Sequence, residues 1–266
     1  MRYKGLCLNL FVWSQIVAAG TAFASVKLQI RESRPIVDGV YVNGRGPYRF
    51  LIDTGTNVNL IETRLARKIG MSASFQIELV SASGRIQASG SDGNEVSLDS
   101  AKANGQKFLF SDLDAIHDDS PDVMGVLGEW FLSQFDYTLD MEHQQLRFGK
   151  EAPQGTLTQF QIINARPVVS TSLGILALDS GNNHLVLFGT LGDLSTGSGY
   201  ALRSVSGSRA VGNVSGRPLI IQGRTFWNGD AVAISDRPEP GVDGLMPLSL
   251  FQAIYVCNSG GYMILR

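Results

Sequence analysis

Two aspartates in this chain occupy settings that favour chemistry over a surface role. Asp53 follows the apolar pair Leu51-Ile52 and precedes Gly55, and a second apolar pair, Leu60-Ile61, comes shortly afterwards. An isolated carboxylate is costly to bury, so an acid at the end of an apolar strand must be hydrogen-bonded, paired, or share its charge with a second acid. The sequence therefore predicts that Asp53 has a partner.

The second acid, Asp179, lies 126 residues further along in a matching setting. It follows the apolar run Ile175 to Leu178 and precedes Ser180-Gly181, after which Leu185 to Phe188 is apolar again. A pattern that occurs twice in one chain indicates a duplicated lobe, with one acid contributed by each copy. Two carboxyl groups that share a proton can act as general base and general acid in the same reaction.

The two motifs resemble those of a known family. Asp53-Thr54-Gly55 and Asp179-Ser180-Gly181 look like the paired D-[TS]-G motifs of the aspartic proteases, the pepsin and retropepsin superfamily. Val126-Leu127-Gly128 is similar to the hydrophobic-hydrophobic-Gly element that packs beside the acid-bearing loop in that family. The resemblance implies the acid-protease fold, mostly β, in which two similar β-rich lobes of one chain enclose the active cleft.

The resemblance also implies roles for individual residues. Asp53 and Asp179 would form the catalytic pair that holds the attacking water, and one of the two would carry the shared proton, as in the aspartic proteases generally. The residues that directly follow each acid would support the pair, the hydroxyls by cross-linking the two loops and the glycines by letting main-chain amides approach: Thr54, Gly55, Ser180 and Gly181.

Two hairpins are candidates for flaps that cover a substrate. The first folds back at Ser83-Gly84 and the second at Ser206-Gly207, so that these four residues are predicted to contact a bound peptide. A plain surface hairpin is the alternative. The first hairpin lacks the tyrosine that pepsin-like flaps carry near the tip.

Two residues depart from the family pattern, and both lie in the second half. Asn182 follows the second glycine, where the family has Ser, Thr or Ala, and Pro247 replaces the glycine of the hydrophobic-hydrophobic-Gly element after Leu245-Met246. Proline has no amide hydrogen, so the loop that carries Asp179 is expected to be supported differently from its counterpart.

The N-terminus predicts export. Residues 1–24 combine the basic residues Arg2 and Lys4, an apolar stretch and the small-residue site Ala22-Phe23-Ala24, which is typical of a signal peptide. A retained membrane anchor is the alternative. Cleavage would leave no stable anchor and would place the protein in a periplasm or outside the cell, with an N-terminal lobe over residues 25–152 and a C-terminal lobe over residues 153–266.

Composition supports a mostly β fold and argues against several other classes. The chain has 30 Gly, 9 Pro and turn signals at short intervals, and its clearest short helix is predicted over Glu62 to Ile69. A formal net charge of −2 without a basic patch speaks against a nucleic-acid partner. The three histidines have no metal-ligand spacing, and Cys257 would be the only cysteine left after cleavage, so no metal, cofactor or intramolecular disulfide is expected.

These observations predict an exported, monomeric aspartic endopeptidase that hydrolyses peptide bonds in peptide or protein substrates. One alternative is a non-catalytic protein with a degenerate acid-protease fold that binds peptides or another partner. A third hypothesis, a secreted sugar-binding β-sandwich, rests only on scattered aromatic residues.

Overall fold

The computed structural model describes residues 25–81, 84–150, 154–189, 201–204 and 207–266. The predicted signal peptide and the two hairpin-tip residues Ser83 and Ser206 lie outside the described residues. No helix in the described part of the chain has the length and apolar character needed to cross a membrane.

The N-terminal half is built mainly of strands with three short helices. In chain order they are β1 Ser25–Arg31, β2 Arg34–Val42, β3 Arg45–Ile52, β4 Leu60–Glu62, α1 Thr63–Lys68, β5 Phe75–Ser81, β6 Gly84–Leu98, β7 Ala101–Ser111, α2 Asp114–His117, β8 Gly125–Leu127, α3 Glu129–Leu132, β9 Tyr137–Asp140 and β10 Gln145–Phe148. The helix predicted over Glu62 to Ile69 is α1, and the Glu62 carboxylate caps it by accepting from the amide of Leu65.

The C-terminal half is also built mainly of strands. Its elements are β11 Thr156–Gln159, β12 Gln161–Ile163, β13 Arg166–Thr171, β14 Gly174–Asp179, β15 Val186–Phe188, β16 Ala201–Ser204, β17 Gly207–Ala210, β18 Gly212–Ile221, β19 Arg224–Ile234, β20 Gly244–Pro247, a 3₁₀ helix Leu248–Leu250, β21 Ala253–Cys257 and β22 Tyr262–Leu265. The mostly β architecture predicted from the sequence is confirmed.

Each acid-bearing strand runs parallel to a short strand from later in its own half. In the first half β3 pairs with β8, so that Ile52 lies opposite Leu127. In the second half β14 pairs with β20 in the same sense, and Asp179 lies opposite Pro247. The two pairings hold each Asp loop against the buried glycine or proline that the sequence pattern places there.

The two halves share one sheet. Strand β21 of the second half pairs antiparallel with β9 of the first, with Ile254 opposite Leu139, and β11 completes the edge beside β22. One buried core draws on both halves and includes Ile52, Leu178 and Met246. This shared sheet and core fix the lobes against each other, while the boundary at residue 153 stays a prediction.

Candidate active site

The two predicted acids meet at the floor of a cleft between the lobes. A cavity of about 550 Å³ is lined by Asp53, Asp179 and the glycine that follows each of them. A Cβ atom placed on Gly181 would lie 2.5 Å from Oδ2 of Asp53, and one placed on Gly55 would overlap the Asp179 carboxyl. Only glycine therefore allows each loop to approach the opposite carboxyl.

The predicted support residues form a closed set of hydrogen bonds between the loops. The Thr54 hydroxyl donates to the carbonyl of Leu178 (3.1 Å) and accepts from the amide of Ser180 (3.1 Å). The Ser180 hydroxyl does the same in reverse, donating to the carbonyl of Ile52 (2.7 Å) and accepting from the amide of Thr54 (3.0 Å). Both hydroxyl residues are fully buried, so these bonds are shielded from water.

Main-chain amides also hold the carboxyl groups in place. The amide of Gly55 donates to Oδ1 of Asp53 at 2.8 Å, and the amide of Gly181 donates to Oδ1 of Asp179 at 3.0 Å. Each Asp thus closes a tight turn with the glycine two residues later. The two carboxyl groups also form a hydrogen bond with each other.

Burial and mutual repulsion shift the titration of the pair. Burial raises the pKa of Asp53, while the amide of Gly55 and the charge of Arg166 oppose that rise. Burial, together with the negative charge of Asp53, raises the pKa of Asp179 to about 8. Since two carboxylates this close cannot both ionise easily, the pair retains one proton at neutral pH.

Asn182 preserves the local turn despite its departure from the family pattern. In the first half Oγ1 of Thr56 accepts from the amide of Val58, two residues later. In the second half Oδ1 of Asn182 accepts from the amide of His184, also two residues later. Asn182 therefore makes the contact in the second half that Thr56 makes in the first.

Pro247 occurs together with a second difference between the lobes, the replacement of a buried asparagine by Leu185. The amide of Gly128 donates to Oδ1 of the fully buried Asn59 at 3.0 Å. Asn59 lies six residues after Asp53, and Leu185 lies six residues after Asp179. Because proline has no amide hydrogen, the apolar Leu185 leaves no donor unsatisfied in the second lobe.

The hairpin formed by β5 and β6 lies over the cleft. Residues 77–81 and Arg85 line the cavity on both sides of the hairpin tip, and Gly84 pairs with Ser81 next to that tip. In the second half Gly207 lines a separate pocket with Ile86 of the first hairpin. Substrate binding by Ser83, Gly84, Ser206 and Gly207 stays a prediction.

Both lobes contribute apolar and charged side chains to the walls of the cleft. The first lobe contributes Leu79, Ile116 and Trp130, whose indole packs edge-on against Phe75, and also the ion pair of Glu78 and Arg85. The second lobe contributes Phe188, Leu202 and an ion pair that the sequence analysis did not single out, that of Arg166 and Glu239.

A repeated tetrapeptide could have identified Arg166. Arg34-Pro35-Ile36-Val37 opens β2 and Arg166-Pro167-Val168-Val169 opens β13, each directly after a two-residue turn with positive φ at both positions. Both arginines line the cleft and pair with an acid that precedes the parallel strand of their own half, Asp119 for Arg34 and Glu239 for Arg166. The arginines are thus part of the duplication.

A third buried carboxyl lies behind the pair. Glu129 is 2% exposed, and its Oε1 has no hydrogen-bond partner among the residues that the structure describes. Burial, together with the charge of Asp53, raises the pKa of Glu129 to about 8. The corresponding position after Pro247 is the fully buried Leu248, so this acid has no counterpart in the second lobe.

No cluster of three or more metal-binding side chains occurs in the described ranges of the chain.

Comparisons with known proteins agree with this geometry. Residues 39–131 match the family model for aspartyl proteases. The crystal structure of an aspartic proteinase from Irpex lacteus superposes with a TM-score of 0.52 at 14% sequence identity, covering 92% of this chain and 97% of that one. The chain therefore has the two-lobed aspartic-protease fold, and residues 39–131 resemble the aspartyl protease family.

A retropepsin-like aspartic protease from Rickettsia conorii is also similar, at 16% identity over 48% of this chain and 96% of that one, with a TM-score of 0.35. No curated protein sequence matches the chain. Family and fold together support a protease function.

The cross-lobe hydrogen bonds predict a stability loss on Thr54→Val. Valine keeps the shape of threonine but leaves the amide of Ser180 and the carbonyl of Leu178 without their partner, so we expect the free energy of unfolding to fall by about 2 kcal/mol. Urea denaturation measures this, with Thr225→Val at an exposed site of β19 as the control. An unchanged unfolding free energy would show that these bonds do not stabilise the fold.

We expect Glu129→Leu to stabilise the protein at neutral pH, because it removes a buried carboxyl group. The folded protein keeps the Glu129 proton up to about pH 8, whereas the unfolded chain releases it near the ordinary pKa, so wild-type stability falls between these values as pH rises. Leucine removes that loss, and we expect a gain on the order of 2 kcal/mol at pH 7 that shrinks near pH 4.

Denaturation curves at both pH values test this, with Glu142→Leu at an exposed site as the control. A loss of stability at pH 7 on Glu129→Leu would mean that the carboxylate has a stabilising role.

Proposed function

We propose that this protein is an exported aspartic endopeptidase, with Asp53 and Asp179 as its catalytic pair. The observation that carries the proposal is the opposition of the two carboxyl groups across the cleft, each beside the glycine of the other loop. A proton shared by such a pair lets one carboxyl remove a proton from water while the other donates one to the peptide carbonyl oxygen.

The surroundings support different roles for the two acids. Both acids receive a main-chain amide and the favourable charge of Arg166, but the negative charge of Asp53 adds to burial in raising the pKa of Asp179. Asp179 has the pKa near 8 and so keeps the proton. We therefore propose Asp53 as the initial base toward water and Asp179 as the initial acid toward the carbonyl oxygen, which together give a gem-diol intermediate. Asp53 then gives the proton it took from water to the departing amine nitrogen as the carbon–nitrogen bond breaks. A hydroxyl of the gem-diol returns a proton to Asp179, so both acids regain their starting states.

The cleft supports an extended peptide as the substrate. The exposed edge of the β5–β6 hairpin lies over the carboxyl pair, where main-chain hydrogen bonds could align a peptide strand. The first lobe offers apolar contacts from Leu79, Ile116 and Trp130, which favour a hydrophobic side chain next to the scissile bond.

Export forms part of the proposal because of residues 1–24. Their basic start, apolar stretch and Ala22-Phe23-Ala24 site are the features of a signal peptide. The mature enzyme would act in a periplasm or outside the cell.

The catalytic pair predicts loss of peptide cleavage on either Asp53→Asn or Asp179→Asn. Each substitution keeps the side-chain size but removes one of the two groups that must exchange the proton, so we expect the specific activity on a peptide library to fall at least about 1,000-fold. Cleavage products are identified by mass spectrometry, and Asp236→Asn, at an exposed ion pair of the second lobe, is the control.

If the wild type cleaves nothing while all variants remain folded, the proposed peptidase activity is wrong, and a non-catalytic peptide-binding protein becomes the alternative. Peptide binding measured by calorimetry would then support that alternative. Cleavage that survives both substitutions would instead exclude the pair as the catalytic site.

The titration of the pair predicts a bell-shaped pH dependence of kcat/KM. Activity requires Asp53 to be ionised and Asp179 to be protonated. The acid limb should lie above the ordinary Asp value because burial raises the pKa of Asp53, and activity should fall as pH rises through about 8, where Asp179 loses its proton. Initial rates from acidic to alkaline pH measure both limbs, and an optimum confined to strongly acidic pH would contradict the expectation.

A further inference from the structure

Arg166 is positioned more rigidly than a surface arginine. It opens β13 directly after the two-residue turn Asn164-Ala165, and both turn residues have positive φ. In this turn type the backbone twist matches that of the flanking strands, so the first residue of the second strand has a fixed direction. Only 6% of the Arg166 side chain is exposed.

The guanidinium of Arg166 connects three parts of the site. Its Nη1 donates to the carbonyl of Gly55 at 2.5 Å, which belongs to the acid-bearing loop of the other lobe. Its Nη2 pairs with Oε2 of Glu239, and the same oxygen accepts from Nδ2 of Asn164 at 3.0 Å. The planar fork of arginine suits such simultaneous contacts, which a lysine cannot reproduce.

The charged groups that face Arg166 are Glu239, the two acids of the pair, and Glu129 behind them. The Arg166 charge lowers the pKa of Asp53, of Asp179 and of Glu129, in each case against the larger effect of burial. Its equivalent in the duplication, Arg34, faces the exposed Asp119.

We propose that Arg166 is the positioning residue of the catalytic pair: its buried cation fixes the Asp53 loop through the Gly55 carbonyl and sets the pH range in which the pair holds a single proton. Glu239 adjusts this effect by neutralising part of the cation's charge. The proposal rests on the proposed function for its kinetic consequence, but the titration of the two carboxyls is independent of activity.

Substitutions of Arg166 and of Glu239 are expected to shift the titration of the carboxyl pair in opposite directions. Arg166→Met removes the cation while keeping an unbranched side chain, so both carboxyls should titrate at higher pH, by about one pH unit. Glu239→Gln leaves the cation uncompensated, so both should titrate at lower pH by a smaller amount. A residue with a purely structural role would lower stability or activity without this opposed pair of shifts.

Titration of the aspartate carboxyl carbons by ¹³C NMR measures the shifts directly, with the resonances of the pair assigned from Asp53→Asn and Asp179→Asn. Arg34→Met is the matched control, because it removes the equivalent arginine of the same cleft, and we expect the titration of the pair to remain at its wild-type pH. Arg166→Lys retains the charge without the fork and should lie nearer to wild type than Arg166→Met.

The kcat/KM profile of each active variant should shift with the carboxyl titration. If Arg166→Met does not fold, Arg166→Met/Glu239→Gln removes both charges together and should still move the titration to higher pH, while Glu239→Gln alone tests the opposite sign. Unshifted carboxyl titrations in folded variants would overturn the proposal. A wild type that titrates as expected but cleaves no peptide would overturn the proposed function and leave the role of Arg166 intact.

Discussion

The structure depends on one unfavourable arrangement, two carboxyl groups facing each other in a buried cleft. Their mutual repulsion and loss of hydration would separate the lobes unless other interactions held the loops together. The crossed hydroxyl bonds of Thr54 and Ser180 provide that restraint, and the glycines after each acid let the opposite loop approach. The shared sheet and the common core extend the restraint from the loops to the lobes.

The two lobes share their backbone arrangement but differ in the side chains at equivalent positions. A buried amide hydrogen needs an acceptor, and the two lobes meet this requirement differently. In the first lobe the amide of Gly128 donates to Asn59. In the second lobe Pro247 has no amide hydrogen, and the apolar Leu185 takes the position of Asn59. Thr56 and Asn182 likewise close the same turn with different side chains. These exchanges show that Asn182 and Pro247, which depart from the family pattern, are accommodated locally and do not displace either acid.

The lobes differ most in the charges they place around the pair. The first lobe supplies Glu129 beneath the site, whereas the second has Leu248 at the equivalent position. Both lobes supply an arginine, but Arg166 reaches across to Gly55 of the opposite loop, while Arg34 pairs with Asp119 at the edge of its own lobe. An internally repeated fold thus surrounds its two acids with unequal environments, as the proposed division between a base and an acid requires.

The acids, their supporting residues and the repeated strands can be predicted from the sequence, because apolar alternation and the D-[TS]-G motifs are local patterns. The Arg-Pro repeat is also local, but an arginine before an apolar strand has the pattern of an ordinary surface residue. The contact of Arg166 with Gly55, 111 positions away in the chain, follows only from the fold. The same is true of the burial of Glu129, whose Oε1 has no hydrogen-bond partner among the described residues. Such properties arise from the packing of distant segments, and no local pattern encodes the distance between them.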